Sequence, residues 1–207
     1  MVYSRLAYFK DSGEILGYAK NSGLIDADTY YGELAHLVPY APANDQITLV
    51  TKIKDGNNQY ALEILSSIAQ DTEIMHKVDT STKKLILSSL ESSEPGFGQA
   101  RGEFSLIDAV RYSTWLQSVA NLSSVTREVK YEDVVLAHLN NSETDPRKVM
   151  AFLMSSDGKI FIQNVGKNGS LEGALKRITL YIKEIPQKDI MQDIVDDITA
   201  TISAVKG

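Results

Sequence analysis

The residues best suited to metal binding or to proton transfer near neutral pH are three histidines, His36, His76 and His138, and they lie far apart in the chain. No second histidine stands three or four residues from any of them, the spacing that sets two imidazoles on one helix face. A metal or catalytic site would have to be assembled by the fold. His138, beside Val134 and Leu136, reads as a partly buried histidine on an apolar strand, and His76, between Met75 and Lys77, as a solvated one. No serine sits in a glycine-flanked nucleophile elbow, and Ser66, Ser105 and Ser170 fit helix caps better. Acid pairs occur at Asp26/Asp28, Glu132/Asp133, Glu143/Asp145 and Asp196/Asp197. Acid–base catalysis needs carboxylates that converge on a cleft with separated pKa values, and adjacency in sequence does not supply that. The run Asn141 to Asp145 offers oxygen ligands but lacks the glycine and distal glutamate of a calcium loop, so it reads as a solvated loop. No catalytic residue, cofactor or metal is therefore expected.

Two glycine clusters remain. Gly96-Phe97-Gly98-Gln99-Ala100-Arg101-Gly102 has the glycine content of a phosphate cradle without the lysine followed by serine or threonine. Gly166-Lys167-Asn168-Gly169 has the G-x-x-G form of some RNA-binding loops, against the plainer reading of a strand-to-helix turn. Around it, from Arg147 to Lys188, eight basic residues face three acidic ones. Lys167, Lys176, Arg177 and Lys183 are the candidate nucleic-acid contacts in that stretch. Asp189, Asp193, Asp196 and Asp197 follow it and are placed to shield it. Asn121, Asn140 and Asn168 each begin an N-x-S triplet, which matters only in a secreted chain.

Composition narrows the classes further. The 207 residues contain no cysteine, which excludes disulfide frameworks, thiolate metal sites and cysteine nucleophiles, and fits a reducing compartment such as the cytoplasm. A net charge of -6 disfavours a general polyanion binder. No secretory leader and no membrane-spanning stretch is expected, so the chain reads as soluble.

The elements that would position these residues are read as α+β. Three apolar runs fold back at glycine turns and are each followed by a candidate helix: Leu6 to Ala19 about Asp11-Ser12-Gly13, Ile47 to Leu65 about Asp55-Gly56-Asn57, and Val149 to Val165 about Ser156-Asp157-Gly158. Val134 to Leu139 joins the third as an antiparallel meander. Asp26 or Asp28 caps a helix carrying Tyr30, Leu34, Leu37 and Val38, ended by Pro39 and Pro42. Ser105 caps a helix with Ala109, Tyr112, Leu116 and Val119 on one face, widened by Trp115 and Leu122. Leu171, Leu175, Ile178, Ile182 and Ile185 line another helix, and Ile190, Ile194, Ile198 and Ile202 the last. The first and third hairpin units share a rough likeness, which is either a duplication or the shared use of turn residues. The expected layout is an N-terminal ββα-type subdomain over residues 1–95, a glycine-rich linker or loop over 96–102, and a C-terminal α+β subdomain over 103–207.

The functional expectation is a non-enzymatic structural or interaction protein that assembles with other protein subunits as a homo-oligomer or larger complex, such as a virion or other particle formed in the cytoplasm. Ile190, Ile194, Ile198 and Ile202 are its candidate protein interface, with docking on the chain's own core as the alternative. Nucleic-acid binding by the 147–188 segment is the second reading, and a small hydrolase or ligand sensor assembled around His138 and the 96–102 loop is the third.

Overall fold

Buried side chains in this protein recur at intervals of three and four residues, the helical period, in the very segments whose composition suggests strands. Gln46, Leu49, Val50 and Ile53 are buried in one run, Ala61, Ile64, Leu65 and Ile68 in the next, and Gly158, Phe161, Ile162 and Val165 in a third. The computed structural model describes residues 5–56, 59–98, 105–165, 171–185 and 188–206. Of these, 82% are helical and none is in a strand.

The α+β expectation is thus overturned. The run expected as a first hairpin is one helix, α1 (Arg5–Asn21). The second is a helix pair, α3 (Ala43–Asp55) and α4 (Gln59–Gln70), and α2 (Ala27–Leu37) precedes it. Of the turn placed at Asp55-Gly56-Asn57, Asn57 lies outside the described residues. Then come α5 (Thr72–Lys77), α6 (Thr80–Glu91) and α7 (Leu106–Arg127). The expected meander is three helices, α8 (Tyr131–Asn140), α9 (Pro146–Met154) and α10 (Ser156–Val165). Last come α11 (Glu172–Lys183) and α12 (Lys188–Lys206). The physical reason is shared by all these runs. β-Branched and aromatic residues favour strands only where a pleated neighbour is available, and tertiary packing overrides so weak a preference.

Contacts divide the chain into two units, Met1–Ser93 with Asn121–Glu128, and Glu94–Ala120 with Val129–Gly207. In the first, α2 packs on α1, α3 and α4, and α3 packs on α6. Three of its helices, α2, α5 and α6, start on aspartates: Asp26 accepts from Thr29 N at 2.7 Å, Asp71 from Ile74 N at 2.9 Å, and Asp79 from Ser81 N at 2.8 Å. Buried Gln46 ties two connections together, the one before α3 and the one between α5 and α6. Its Nε2 donates to the carbonyls of Ala41 and Lys77, both at 3.0 Å, and its Oε1 accepts from Asp79 N at 3.0 Å.

In the second unit, α9 packs on α10, α11 and α12, and α11 on α8 and α12. The α9–α10 corner is tight because residue 158 is glycine. A β-carbon there would stand 1.9 Å from the Phe152 carbonyl oxygen. Ser155 accepts from Gly158 N at 3.0 Å and so starts α10, while Phe152 and Phe161 meet edge to face at 5.6 Å. Ser156-Asp157-Gly158 is therefore a helix start, where a hairpin turn was expected. Helix α7 contributes buried Tyr112, Trp115, Leu116 and Val119 to this unit and, beyond residue 120, buried Leu122 to the first, all on the face its sequence marks.

Candidate functional site

The densest grouping of charged and aromatic side chains lies in the second unit, where the start of α9 meets α7 and residues 94–98. Asp145 accepts from Arg147 N at 2.9 Å and so caps α9, with Pro146 at the first helical position. The same carboxylate holds the Arg147 side chain, from Nη2 at 2.6 Å and Nε at 3.0 Å. Its hydrogen bonds to the Asp145 carboxylate raise the guanidinium pKa above its ordinary value, against the opposing effect of burial. Arg147 Nη1 also donates to the Gly98 carbonyl at 2.9 Å, and its guanidinium stands 5.5 Å from the Phe97 ring centre. Lys148 Nζ donates to Glu94 Oε1 at 2.6 Å and lies 5.4 Å from the Tyr112 ring centre.

From there an aromatic column runs inward. Phe97 meets Tyr112 edge to face at 6.4 Å, Tyr112 stacks on Trp115 at 5.6 Å, and Trp115 meets the His138 ring edge-on at 5.4 Å. Tyr112 is fully buried, and its hydroxyl has no hydrogen-bond partner among the described residues. Burial, above all, pushes its phenol well above the ordinary tyrosine range, with the Glu94 and Asp145 carboxylates adding to it and Arg177 opposing. The cations here are matched by carboxylates, carbonyls and ring faces. The arrangement ties residues 94–98 to the start of α9.

The residues singled out by sequence are distributed differently. All three histidines stand in the last turn of a helix, His36 in α2, His76 in α5 and His138 in α8, so His138 is on a helix and not on the expected strand. Asp26 caps α2, Asp145 caps α9, and Glu132 and Asp133 fall in the first turn of α8, where the helix dipole favours acids. Ser105 accepts from Asp108 N at 3.3 Å at the start of α7, whereas Ser66 is buried inside α4 and not at a helix start. Ser170, Lys167 and the Gly166–Gly169 loop lie outside the described residues, as do residues 99–102 of the glycine-rich segment. Among the described residues no group of three or more His, Asp or Glu side chains converges as a metal site.

Of the candidate nucleic-acid contacts, Lys176 and Lys183 are exposed on α11. Arg177 is engaged within the unit, donating to the carbonyls of Leu139 and Asn141 and so closing the C-terminal end of α8. One of the tail aspartates reaches a base, Asp197 lying 3.9 Å from Lys159 Nζ. Of the candidate interface residues, Ile198 and Ile202 are buried and Ile194 half-buried, on a helix packed against α9, α10 and α11. The side chain of Ile190 lies outside the described residues. That face therefore docks on its own unit. Glu94, Phe97, Tyr112, Arg147 and Lys148, by contrast, come together without having been paired by sequence. The one legible signal was Asp145-Pro146, an N-cap followed by proline, inside what composition marks as a loop.

No protein-family model, curated protein or solved structure matches the chain. No helix among the described residues is long and apolar enough to cross a membrane.

Proposed function

We propose that this chain works by binding protein and not by catalysis, as a helical subunit that self-associates or enters a larger assembly. The observation that supports this reading most is at the start of α7. Leu106, Ile107 and Val110 fall within its first two turns and are 73%, 65% and 66% exposed. Single exposed apolar residues are ordinary, but three large ones on adjoining positions of one helix make a contiguous patch of the kind found at protein interfaces. The occupant we favour is a second copy, because a helix face of this kind is self-complementary about a twofold axis. The patch alone falls short of the roughly 1,200 Å² of a stable interface, so it serves as the anchor of a wider contact. A cysteine-free sequence supports a cytoplasmic setting.

Sedimentation equilibrium tests the reading. The wild-type chain is expected at a multiple of 22.8 kDa, and Leu106→Lys with Val110→Lys at the monomer mass with unchanged helicity. A wild-type monomer throughout the micromolar range rejects self-association. Nucleic-acid binding keeps a narrower support, since Lys176 and Lys183 are exposed and seven residues apart, which puts them on one side of α11. It predicts retention on single-stranded RNA at low salt that is lost when both are replaced by glutamine.

A further inference from the structure

Residues 94–98 form no helix, and they belong to the second unit. Glu94 is bound by Lys148 at 2.6 Å, the Gly98 carbonyl by Arg147 at 2.9 Å, and the Phe97 ring lies against Arg147 and the edge of Tyr112. Three of these four contacts depend on charge. Gly96 and Gly98 are exposed, and Phe97 is only half-buried. An element with few buried apolar contacts opens at a lower free energy than the core beneath it.

The ion pair is lopsided. The Lys148 side chain is 14% exposed and that of Glu94 39%, so the lysine is the more deeply covered partner. Removing the carboxylate leaves the more covered partner without its counter-ion beside a ring face, whereas a freed Glu94 rehydrates. The hold on the segment therefore rests on keeping an anion at position 94.

We propose that Glu94–Gly98 is a strap that opens as a unit while the helices stay folded, with the Glu94–Lys148 pair as its latch. Opening uncovers the Tyr112 ring together with the Lys148 and Arg147 cations. It is local, and involves only the second unit.

Chymotrypsin provides the test, because the Phe97–Gly98 bond fits the protease only when the ring leaves Tyr112 and Arg147. Where opening and closing outpace cleavage, the cutting rate tracks the open population. The rate at this bond is read by mass spectrometry on the full chain, normalised to a free peptide of sequence Ser-Ser-Glu-Pro-Gly-Phe-Gly, with helicity checked by circular dichroism. Glu94→Lys is expected to raise cutting about tenfold or more, since it places two like charges where an ion pair stood. Glu94→Lys with Lys148→Glu is expected to bring the rate back to within about threefold of wild type. Wild-type cutting is expected to depend only weakly on urea, as local opening exposes little surface. Glu94→Lys cut no faster than wild type, a charge swap no slower than Glu94→Lys, or a urea dependence as steep as global unfolding would each overturn the strap.

Discussion

Gln46 joins two chain connections through three hydrogen bonds of one buried amide, and replacing it separates hydrogen bonding from shape. Gln46→Leu keeps the volume and removes both donors and the acceptor, which strands the carbonyls of Ala41 and Lys77 and the Asp79 N–H. At about 1 kcal/mol net for each hydrogen bond the loss is about 3 kcal/mol. The leucine returns about 1 kcal/mol through its extra apolar surface, leaving a deficit of about 2 kcal/mol. Gln46→Glu keeps the acceptor for Asp79 but aims an anion at two carbonyl oxygens in a buried place, so its deficit at neutral pH is larger, about 3–5 kcal/mol. The sign with pH is fixed. The introduced carboxyl has a folded pKa above its unfolded value, so the variant regains stability as pH falls through the folded pKa and loses it as pH rises. Urea unfolding followed by far-ultraviolet circular dichroism at pH 7.5 and pH 5 reads both effects. A Gln46→Leu midpoint equal to wild type, or a Gln46→Glu variant no weaker than Gln46→Leu at pH 7.5, would refute the bridging role.

Other outcomes are equally definite. Gly158→Ala forces a β-carbon against the Phe152 carbonyl and is expected to cost about 1–3 kcal/mol in urea unfolding, whereas Gly17→Ala, on α1 with nothing within 4 Å, is expected to gain up to about 1 kcal/mol. Burial alone would raise the Asp79 carboxyl, but hydrogen bonds from Thr82 and Ser81 outweigh it and hold the pKa below the usual value. Its contribution is thus complete above the unfolded carboxylate pKa and lost as pH falls through the lower folded one, so Asp79→Asn should flatten the acid limb of stability against pH. Tyr131 is pushed up to about 12, by burial first and then by Asp157 and Glu132, so an ultraviolet titration should show a late phenol that Tyr131→Phe removes.

Several helices were legible because their buried faces coincide with their apolar stripes. Asp26 caps α2 over buried Tyr30 and Leu34, and Tyr112, Leu116 and Val119 line α7. The segments misread as hairpins failed for an identifiable reason. In α3, Ile47, Thr48, Val50 and Thr51 carry strand-favouring shapes, yet the buried set begins at Gln46, a polar residue no hydrophobic pattern counts. In α9 the residues from Val149 to Leu153 are all buried, and an apolar run covered on every side has no period to read.

The amino-acid sequence by itself determined which chemistries are absent from the side chains, since a chain without cysteine has no thiolate to offer, and it determined the caps, because an aspartate before a helix answers backbone N–H groups only a few residues away. Only the tertiary structure decided helix against strand in the short apolar runs and brought Glu94 to Lys148 and Phe97 to Tyr112. Local rules act over three or four residues, whereas burial and long-range pairing depend on neighbours that the chain supplies from dozens of positions away.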